Sequence, residues 1–400
     1  MPLMNVDRAR AILTREGLDG IISSSVENNF YLSGVWNSGQ QLFPYDGESY
    51  VVATNDQPDE GVVVTSIGGA DLALTANEGV KGPITFGTFF RDVMDGLELT
   101  DNEAKLRATT ETHQTGRDSI DALAEGISEM GLEGAAVGVD LRGPRNDVLE
   151  QLSSRFPDAR FVDATRLFRL IRSVKTPDEI AALRETLRVT EAGFNAAVAA
   201  FAEGVTEREI KTVWEQTVVG AGATPGFCLV KFGRDLALGQ IPAGDTKLEK
   251  GQFAFFDIGC HLNGYKSDIG RLVSFGEPAD DLVGLFEASK AGQQVAIDMM
   301  KPGVDASVVF VSAVEAVRAS GIPSYQRQHV GHAIGIEYYD APILNASDET
   351  VLETGMVFEV ETPYYRIGQG GTFIEDTVVL NASGAEIMTQ LPREIVVVEA

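Results

Sequence analysis

Hydrophobic and polar positions in the first part of the chain alternate at two spacings, which predicts a mixture of helices and strands. Ala9, Ile12 and Leu13 recur at helical spacing and predict an amphipathic helix over residues 6–17. Short β-branched runs predict strands at 20–25, 50–54, 61–66, 135–140 and 160–164, and polar segments predict helices at 109–131 and 144–156. Such alternation indicates an α/β layer domain.

The pattern changes near residues 170–176, where a capping box predicts the start of a new helix. Thr176 takes the N-cap position, Pro177 the first helical position and Glu179 the third. Further helices are predicted from a second box at 206–209, and over 279–300 and 305–320. Because a chain of 400 residues exceeds the usual size of one core, we expect two domains, residues 1–170 and 171–400.

Two segments of the second domain have the alternation typical of paired strands. Residues 252–275 predict a hairpin around an Asn263-Gly264 turn, and residues 355–380 predict another around a glycine-rich turn. Strand pairs mixed with helices indicate an α+β domain with antiparallel sheet.

Composition limits the classes of partner. Asp and Glu number 59 against 32 Lys and Arg, which gives a net charge of −27. Such a charge repels nucleic acid and anionic membranes, so we expect neither as a partner. No apolar stretch reaches about 18 residues, and two isolated cysteines are no disulfide framework, so we expect a cytoplasmic protein.

The first hairpin carries two acidic residues in apolar surroundings. Asp257 and Asp268 lie on either side of the predicted turn, which places them opposite or diagonal on neighbouring strands. Two carboxylates so placed are unfavourable because they lose hydration and repel each other. A bound cation compensates for both effects. A solvated strand face is the alternative for such a pair taken alone.

The second hairpin repeats the arrangement with Glu361 and Glu375, which we expect to face each other. Glu359 shares the side of Glu361, and we expect it to be solvated rather than an outer acid of the site. Asp376 should point away from Glu375 and have a structural role.

A histidine completes the candidate ligand set. His332 lies between Gly331 and Gly335, which let the backbone approach a site closely. Four carboxylates and one imidazole form a hard, oxygen-rich set suited to a pair of divalent ions such as Mn, Co, Zn or Fe. Two such ions can activate water and polarise a carbonyl group, which predicts a hydrolase.

The same blocks resemble the metal-site motifs of the pita-bread metallopeptidase superfamily, which includes prolidase, aminopeptidase P, methionine aminopeptidase and creatinase. The matching motifs are DIG, SDIGR, GHAIG, GMVFEVE and GTFIEDT, and the resemblance covers about residues 170 to 395. The first 165 residues resemble the creatinase-type N-terminal domain. The resemblance implies a pita-bread catalytic domain and a homodimer.

The resemblance also implies roles for the five residues. Asp257 would bind one metal through both oxygens, and Asp268 and Glu375 would bridge the two metals. His332 and Glu361 would complete the shell of the other metal, and Glu361 would serve as general base.

Four sites depart from the usual pattern of prolidases and aminopeptidases P. Gly239 and Gln240 replace a His that precedes the first Asp, and Tyr339 replaces a His seven places after His332. Phe373 replaces an Arg two places before the last Glu, and His329 is shifted by one from a further family His. These residues are therefore candidates for a changed substrate pocket.

Other candidate groups have ordinary interpretations. We expect His113 and His261 to face solvent, and Cys260 to be inert. Tyrosines could wall the pocket or pack in the sheet, namely Tyr338, Tyr339, Tyr364 and Tyr365.

Three functions follow from this pattern. The first is a dinuclear hydrolase of a peptide or amide bond, resembling Xaa-Pro peptidases. The second is a non-peptidase relative acting on a small osmolyte-like molecule, as a creatinase-like amidinohydrolase or a dimethylsulfoniopropionate lyase-like enzyme. The third is a catalytically inactive binding module, which the complete ligand set disfavours.

Overall fold

The computed structural model describes residues 4–92, 94 and 96–400, which form two compact units divided between Arg172 and Ser173. In the first unit the elements are, in chain order, α1 (Val6–Arg15), β1 (Gly20–Ser23), α2 (Val26–Ser33), α3 (Ser38–Leu42), β2 (Ser49–Thr54), β3 (Val62–Ser66), β4 (Lys81–Phe86), α4 (Asp101–Thr112), α5 (Ser119–Glu129), β5 (Ala136–Val139), α6 (Val148–Arg155), β6 (Arg160–Asp163) and α7 (Thr165–Ser173).

The first unit is a mixed sheet covered by helices, as the alternation of strands and helices predicts. The strand order is β4-β3-β2-β1-β5-β6, with β1 antiparallel to β2 and parallel to β5. Residues of these strands and of α5 share one buried apolar cluster, which includes Ile22, Val52, Leu123 and Val137.

The single helix predicted over 109–131 is wrong, because the chain forms α4 and α5 with a break between them. Gly116 has a φ of 77° and the side chain of Asp118 caps α5, which together end one helix and begin the next. His113 lies in the break, where Nδ1 is 2.8 Å from Thr85 Oγ1 and Nε2 is 3.1 Å from the Gly87 carbonyl. The expectation that His113 faces solvent is therefore also wrong.

The second unit contains the predicted helices and hairpins. Its elements are α8 (Pro177–Ala199), α9 (Glu207–Gly220), β7 (Thr224–Phe232), β8 (Phe253–Leu262), β9 (Tyr265–Lys266), β10 (Ile269–Phe275), α10 (Asp280–Met299), α11 (Ala306–Ala319), β11 (Gly331–Ala333), β12 (Asp340–Ile343), β13 (Val357–Glu361), β14 (Tyr364–Arg366), β15 (Gly370–Thr372), β16 (Glu375–Asn381), β17 (Gly384–Ile387) and β18 (Val396–Val398).

The large sheet of this unit has the strand order β12-β11-β13-β16-β10-β8-β7, with antiparallel neighbours along that path. One face packs on helices: Phe256 of β8 meets Phe194 of α8 with ring centroids 5.1 Å apart. Because side chains alternate along a strand, Asp257 points to the opposite face.

One tight turn and one close backbone approach determine how strands pair in this sheet. Asn263 and Gly264 have φ of 50° and 90°, which confirms the predicted hairpin turn between β8 and β9. Gly331 has a φ of 149°, and a Cβ there would overlap with the carbonyl of Glu359, so only glycine lets β11 pair with β13.

Within the described ranges, no helix combines the length and apolar character that crossing a bilayer requires.

A buried ion pair ties α9 to the sheet, and it provides a test of the fold. Glu207, at the start of α9, accepts from Lys231 Nζ at 2.8 Å and from the backbone N–H groups of Phe232 and Gly244. We expect Glu207→Gln to lower the free energy of unfolding by about 3–5 kcal/mol, because Lys231 would remain buried without its counter-charge. Urea denaturation followed by circular dichroism measures this change.

The matched control is Glu203→Gln, at an exposed position nearby, which should stay within about 0.5 kcal/mol of the parent protein. Equal effects of the two substitutions would contradict the structural role of the pair.

Candidate metal centre

A row of acidic side chains crosses the face of the large sheet opposite α8. Gly270 pairs with both Asp257 and Glu375, and Glu375 pairs in turn with Glu361. Directly paired residues project to the same face, so these positions form one line across four strands. The predicted facing of Glu361 and Glu375 is thereby confirmed.

A second row lies beside the first on the same face. Glu359 pairs with both Thr377 and His332. Asp268 lies two residues before Gly270 and thus on its side of the strand, diagonal to Asp257 as the sequence predicts. Thr377 Oγ1 is 3.4 Å from the Asp268 carbonyl, which brings this end of the hairpin against the second row.

Three of these residues converge tightly. Asp268, His332 and Glu375 are buried, and each offers one ligand atom that lies within 4.8 Å of the other two. His332 Nε2 is 3.8 Å from Asp268 Oδ2. Among the described residues, Asp268 Oδ1 and Glu375 Oε2 have no hydrogen-bond partner. Buried acceptors left unsatisfied beside an imidazole fit a divalent cation.

Burial and mutual repulsion shift the titration of the cluster. Burial raises the pKa values of Asp268 and Glu375 well above normal, followed by the charge of Asp257 for Asp268 and the charge of Asp268 for Glu375. Burial and the charge of Glu361 raise the pKa of Asp257 to about 8. Burial lowers the pKa of His332 to about 3, so its imidazole is neutral and can donate a lone pair to a metal.

Glu361 has partners that sequence reasoning missed or underrated. Arg327 Nη2 donates to Glu361 Oε2 at 3.1 Å, and His329 Nδ1 lies 3.3 Å from Glu361 Oε1. Burial raises the pKa of Glu361, and Arg327 lowers it. Arg327 belongs to a segment without regular secondary structure, so no periodicity could show that it faces the site.

Glu359 is the clearest correction to the expected site. It was expected to be solvated, yet its exposure is 0 %. Its Oε1 accepts from Thr377 Oγ1 at 3.1 Å, and its Oε2 has no partner in the described part of the chain. Its position on the side of Glu361 was correctly predicted, but alternation does not show what covers that side.

The candidate pocket residues differ in what they contact. Tyr339 stacks on His332 with ring centroids 3.7 Å apart, and half of its surface is exposed. Burial and then the charges of Glu361, Glu375 and Asp268 raise the pKa of Tyr339.

Phe373 lies within the acidic row, between two of its positions, rather than in an open pocket. A Cβ on Gly270 would overlap with the Phe373 ring, which therefore occupies the gap between Asp257 and Glu375. The ring is 2 % exposed and packs on Phe255, with centroids 5.0 Å apart. Phe373 thus belongs to an apolar cluster that borders the site.

Of the remaining tyrosines, one lies near the acidic row and two pack against other aromatic rings. Tyr365 is partly exposed, and the charges of Asp257 and Glu361 contribute to its raised pKa. Tyr338 packs edge-on against Phe227, and Tyr364 contacts Tyr325.

Neighbouring polar groups are accounted for elsewhere in the fold. Asp376 accepts from Arg271 at 2.5 Å and from Arg393 at 2.9 Å on the helix-covered side, which confirms its structural role. Cys260 contacts Thr190 Oγ1 at 3.1 Å, and burial raises its pKa, as expected of an inert thiol. The prediction of an exposed His261 is wrong, because it is half-buried and burial lowers its pKa to about 4.

Two family models match the chain. Metallopeptidase family M24 matches residues 181–382, and the Creatinase/Prolidase N-terminal domain matches residues 5–76. The first match includes all five candidate ligands.

Curated relatives are similar over most of their length. The chain is 28% identical over 280 residues to an Xaa-Pro dipeptidase of Pyrococcus furiosus, which covers 70% of this chain and 78% of that protein. It is 31% identical over 250 residues to an Xaa-Pro dipeptidase of Lactobacillus delbrueckii subsp. lactis, which covers 62% of this chain and 68% of that protein.

Solved structures show the same fold. An X-Pro aminopeptidase from Thermotoga maritima superposes with a TM-score of 0.76 at 24% identity, over 98% of this chain and 99% of that one. The dipeptidase PepE from Mycobacterium ulcerans gives a TM-score of 0.78 at 24% identity, over 99% and 97%. These likenesses confirm the predicted fold class of both domains.

The raised carboxyl pKa values predict how stability of the metal-free protein depends on pH. Asp257, Asp268 and Glu375 bind protons more tightly in the folded chain than in the unfolded chain. The free energy of unfolding should therefore rise as pH falls from about 8 towards about 5, and fall as pH rises through about 8. Urea denaturation in excess chelator, across that range, measures the slope.

Asp268→Asn supplies the comparison, because it removes one of the repelling charges. The variant should show a flatter pH profile and a higher stability than the parent near pH 8 when both lack metal. Parallel profiles would mean that the carboxylates do not interact as the structure places them.

Proposed function

Because the chain belongs to metallopeptidase family M24 and is therefore a metallohydrolase, we propose that it cleaves a peptide C–N bond in Xaa-Pro-type substrates with two bound divalent cations. The observation that carries this proposal is the convergence of buried Asp268, His332 and Glu375, where one oxygen of each carboxylate has no hydrogen-bond partner among the described residues. The relatives named Xaa-Pro dipeptidase support the substrate class.

The two rows of the sheet suggest how the cations are shared. Asp257 would hold one cation, and Asp268 and Glu375, which lie between the two ends of the site, would bridge both. His332 and Glu361 would complete the other. When bound, the cations supply Lewis acidity, which lowers the pKa of water and polarises the scissile carbonyl.

Glu361 is the proposed general base. Its carboxylate keeps one oxygen against Arg327 and the other near His329. Burial raises the pKa of Glu361 and the guanidinium of Arg327 opposes this by favouring the ionised form, with a net increase in the affinity of the carboxylate for a proton. Arg327 would thus act through Glu361 as a positioning residue.

Tyr339 is the proposed proton carrier to the leaving group. Its ring is held flat on His332, and half of its surface is exposed. A hydroxyl in this place can donate a proton to the departing amine, a role that requires contact with substrate rather than with a cation.

One observation favours a non-peptide substrate as the second candidate. Phe373 presents a buried aromatic ring at the site where the resemblance leads one to expect a guanidinium. An aromatic ring cannot form the charged hydrogen bonds of a guanidinium, so this departure favours a substrate other than an Xaa-Pro peptide.

A substrate panel tests the proposal directly. We expect protein reconstituted with Mn or Co to hydrolyse Xaa-Pro dipeptides, and to leave creatine and dimethylsulfoniopropionate unchanged. Metal analysis should find about two ions per chain. Asp268→Asn should lose both metal and activity, whereas Glu203→Gln, at an exposed position, should keep both.

Turnover of creatine or of dimethylsulfoniopropionate, with peptides untouched, would replace the peptidase assignment by the second candidate. Full activity of Asp268→Asn would refute the bridging role.

Tyr339→Phe tests the proton carrier, because it keeps the ring stacked on His332 and removes only the hydroxyl. We expect kcat to fall by about 10²-fold with little change in KM, as for loss of a general acid. A peptide substrate with a better leaving group should recover much of the loss. Unchanged kcat would assign Tyr339 to packing alone.

A further inference from the structure

Glu359 lies in the middle of the second row, where it adds a fifth carboxylate to the site. It pairs across β13 with His332 on one side and with Thr377 on the other. Thr377 Oγ1 lies 3.1 Å from Glu359 Oε1 and 3.4 Å from the carbonyl oxygen of Asp268, so one hydroxyl connects the carboxylate to a proposed bridging residue.

The protein alone does not satisfy this side chain in either protonation state. Glu359 is 0 % exposed, and Thr377 Oγ1 supplies a hydrogen bond to Oε1. Oε2 has no partner among the residues that the structure describes. An ionised Oε2 would lack a donor, and a protonated one would lack an acceptor, which leaves a buried polar atom unsatisfied in both cases.

A count of the charges at the site addresses whether Glu359 can be ionised there. The four predicted ligand carboxylates balance two divalent cations, and Glu359 adds one negative charge. The guanidinium of Arg327, bonded to Glu361, adds one positive charge at the same site. An ionised Glu359 is therefore matched within the site, with no need for a proton.

We propose that Glu359 is a further ligand of the metal centre, whose Oε2 binds the cation on the His332 side. The inference rests on the proposed two-cation site. An additional carboxylate makes this end of the centre richer in hard oxygen, which favours Mn over Zn. It also accounts for a buried carboxylate oxygen, Oε2, that has no hydrogen-bond partner among the described residues.

The opposing hypothesis is a structural acid, protonated and inert. The two hypotheses predict different effects of removing the Glu359 carboxylate on metal affinity and on the stability of the metal-free protein. Removing a ligand relieves repulsion when metal is absent and weakens binding when metal is present. Removing a structural acid leaves metal affinity unchanged.

The experiment compares Glu359→Gln with the parent in two measurements, calorimetric titration with Mn²⁺ and thermal unfolding in excess chelator. We expect the Mn²⁺ dissociation constant to rise by at least about tenfold. We expect the metal-free Tm to rise by about 2–4 °C, because the change removes one buried charge. Glu359→Asp, which keeps the charge on a shorter side chain, should show an intermediate affinity.

Glu207→Gln is the matched control, since it also alters a buried glutamate of this unit, but one with a full set of partners. It should lower the metal-free Tm and leave Mn²⁺ affinity unchanged, the reverse of the Glu359 variants. Should Glu359→Gln fail to fold, the affinity of Glu359→Asp decides.

The outcomes separate the two proposals. A parent protein that binds no Mn²⁺ would overturn the metal site itself. A parent that binds two ions, with equal affinity in both Glu359 variants, would overturn only the role of Glu359.

Discussion

Mutual repulsion among carboxylates is the constraint on which the second unit depends. The sheet places Asp257, Glu375 and Glu361 in one row, with Asp268 beside them, in surroundings that exclude most water. Strand pairing fixes these positions, so the side chains cannot move apart without breaking the ladder. Cations are the means by which such an arrangement becomes favourable, and the fold therefore stores an affinity for them.

Acidic residues on the two faces of the sheet differ in their partners, as β16 illustrates. Asp376 follows Glu375 directly, points to the helix-covered face, and is bonded to Arg271 and Arg393. On the opposite face, the guanidinium of Arg327 bonds to Glu361. Asp376 and Glu361 thus have protein partners, whereas Asp268 Oδ1 and Glu375 Oε2 have none among the described residues.

Much of the site could be predicted because it depends on strand alternation and turn chemistry. The Asn263-Gly264 turn fixes the first hairpin and, with it, the diagonal placement of Asp257 and Asp268. The burial of Glu359 could not be predicted, because alternation gives the face of a residue and not its cover. Arg327 lies on an irregular segment, where position depends on tertiary packing.

The gap at Gly270 has a consequence for the strength of every charge interaction above it. The aromatic ring of Phe373 fills that gap between Asp257 and Glu375, on the same face as their side chains. Part of the space between these carboxylates is therefore hydrocarbon, whose dielectric constant is far smaller than that of water. The ring thereby strengthens both the repulsion between the carboxylates and their attraction for a cation.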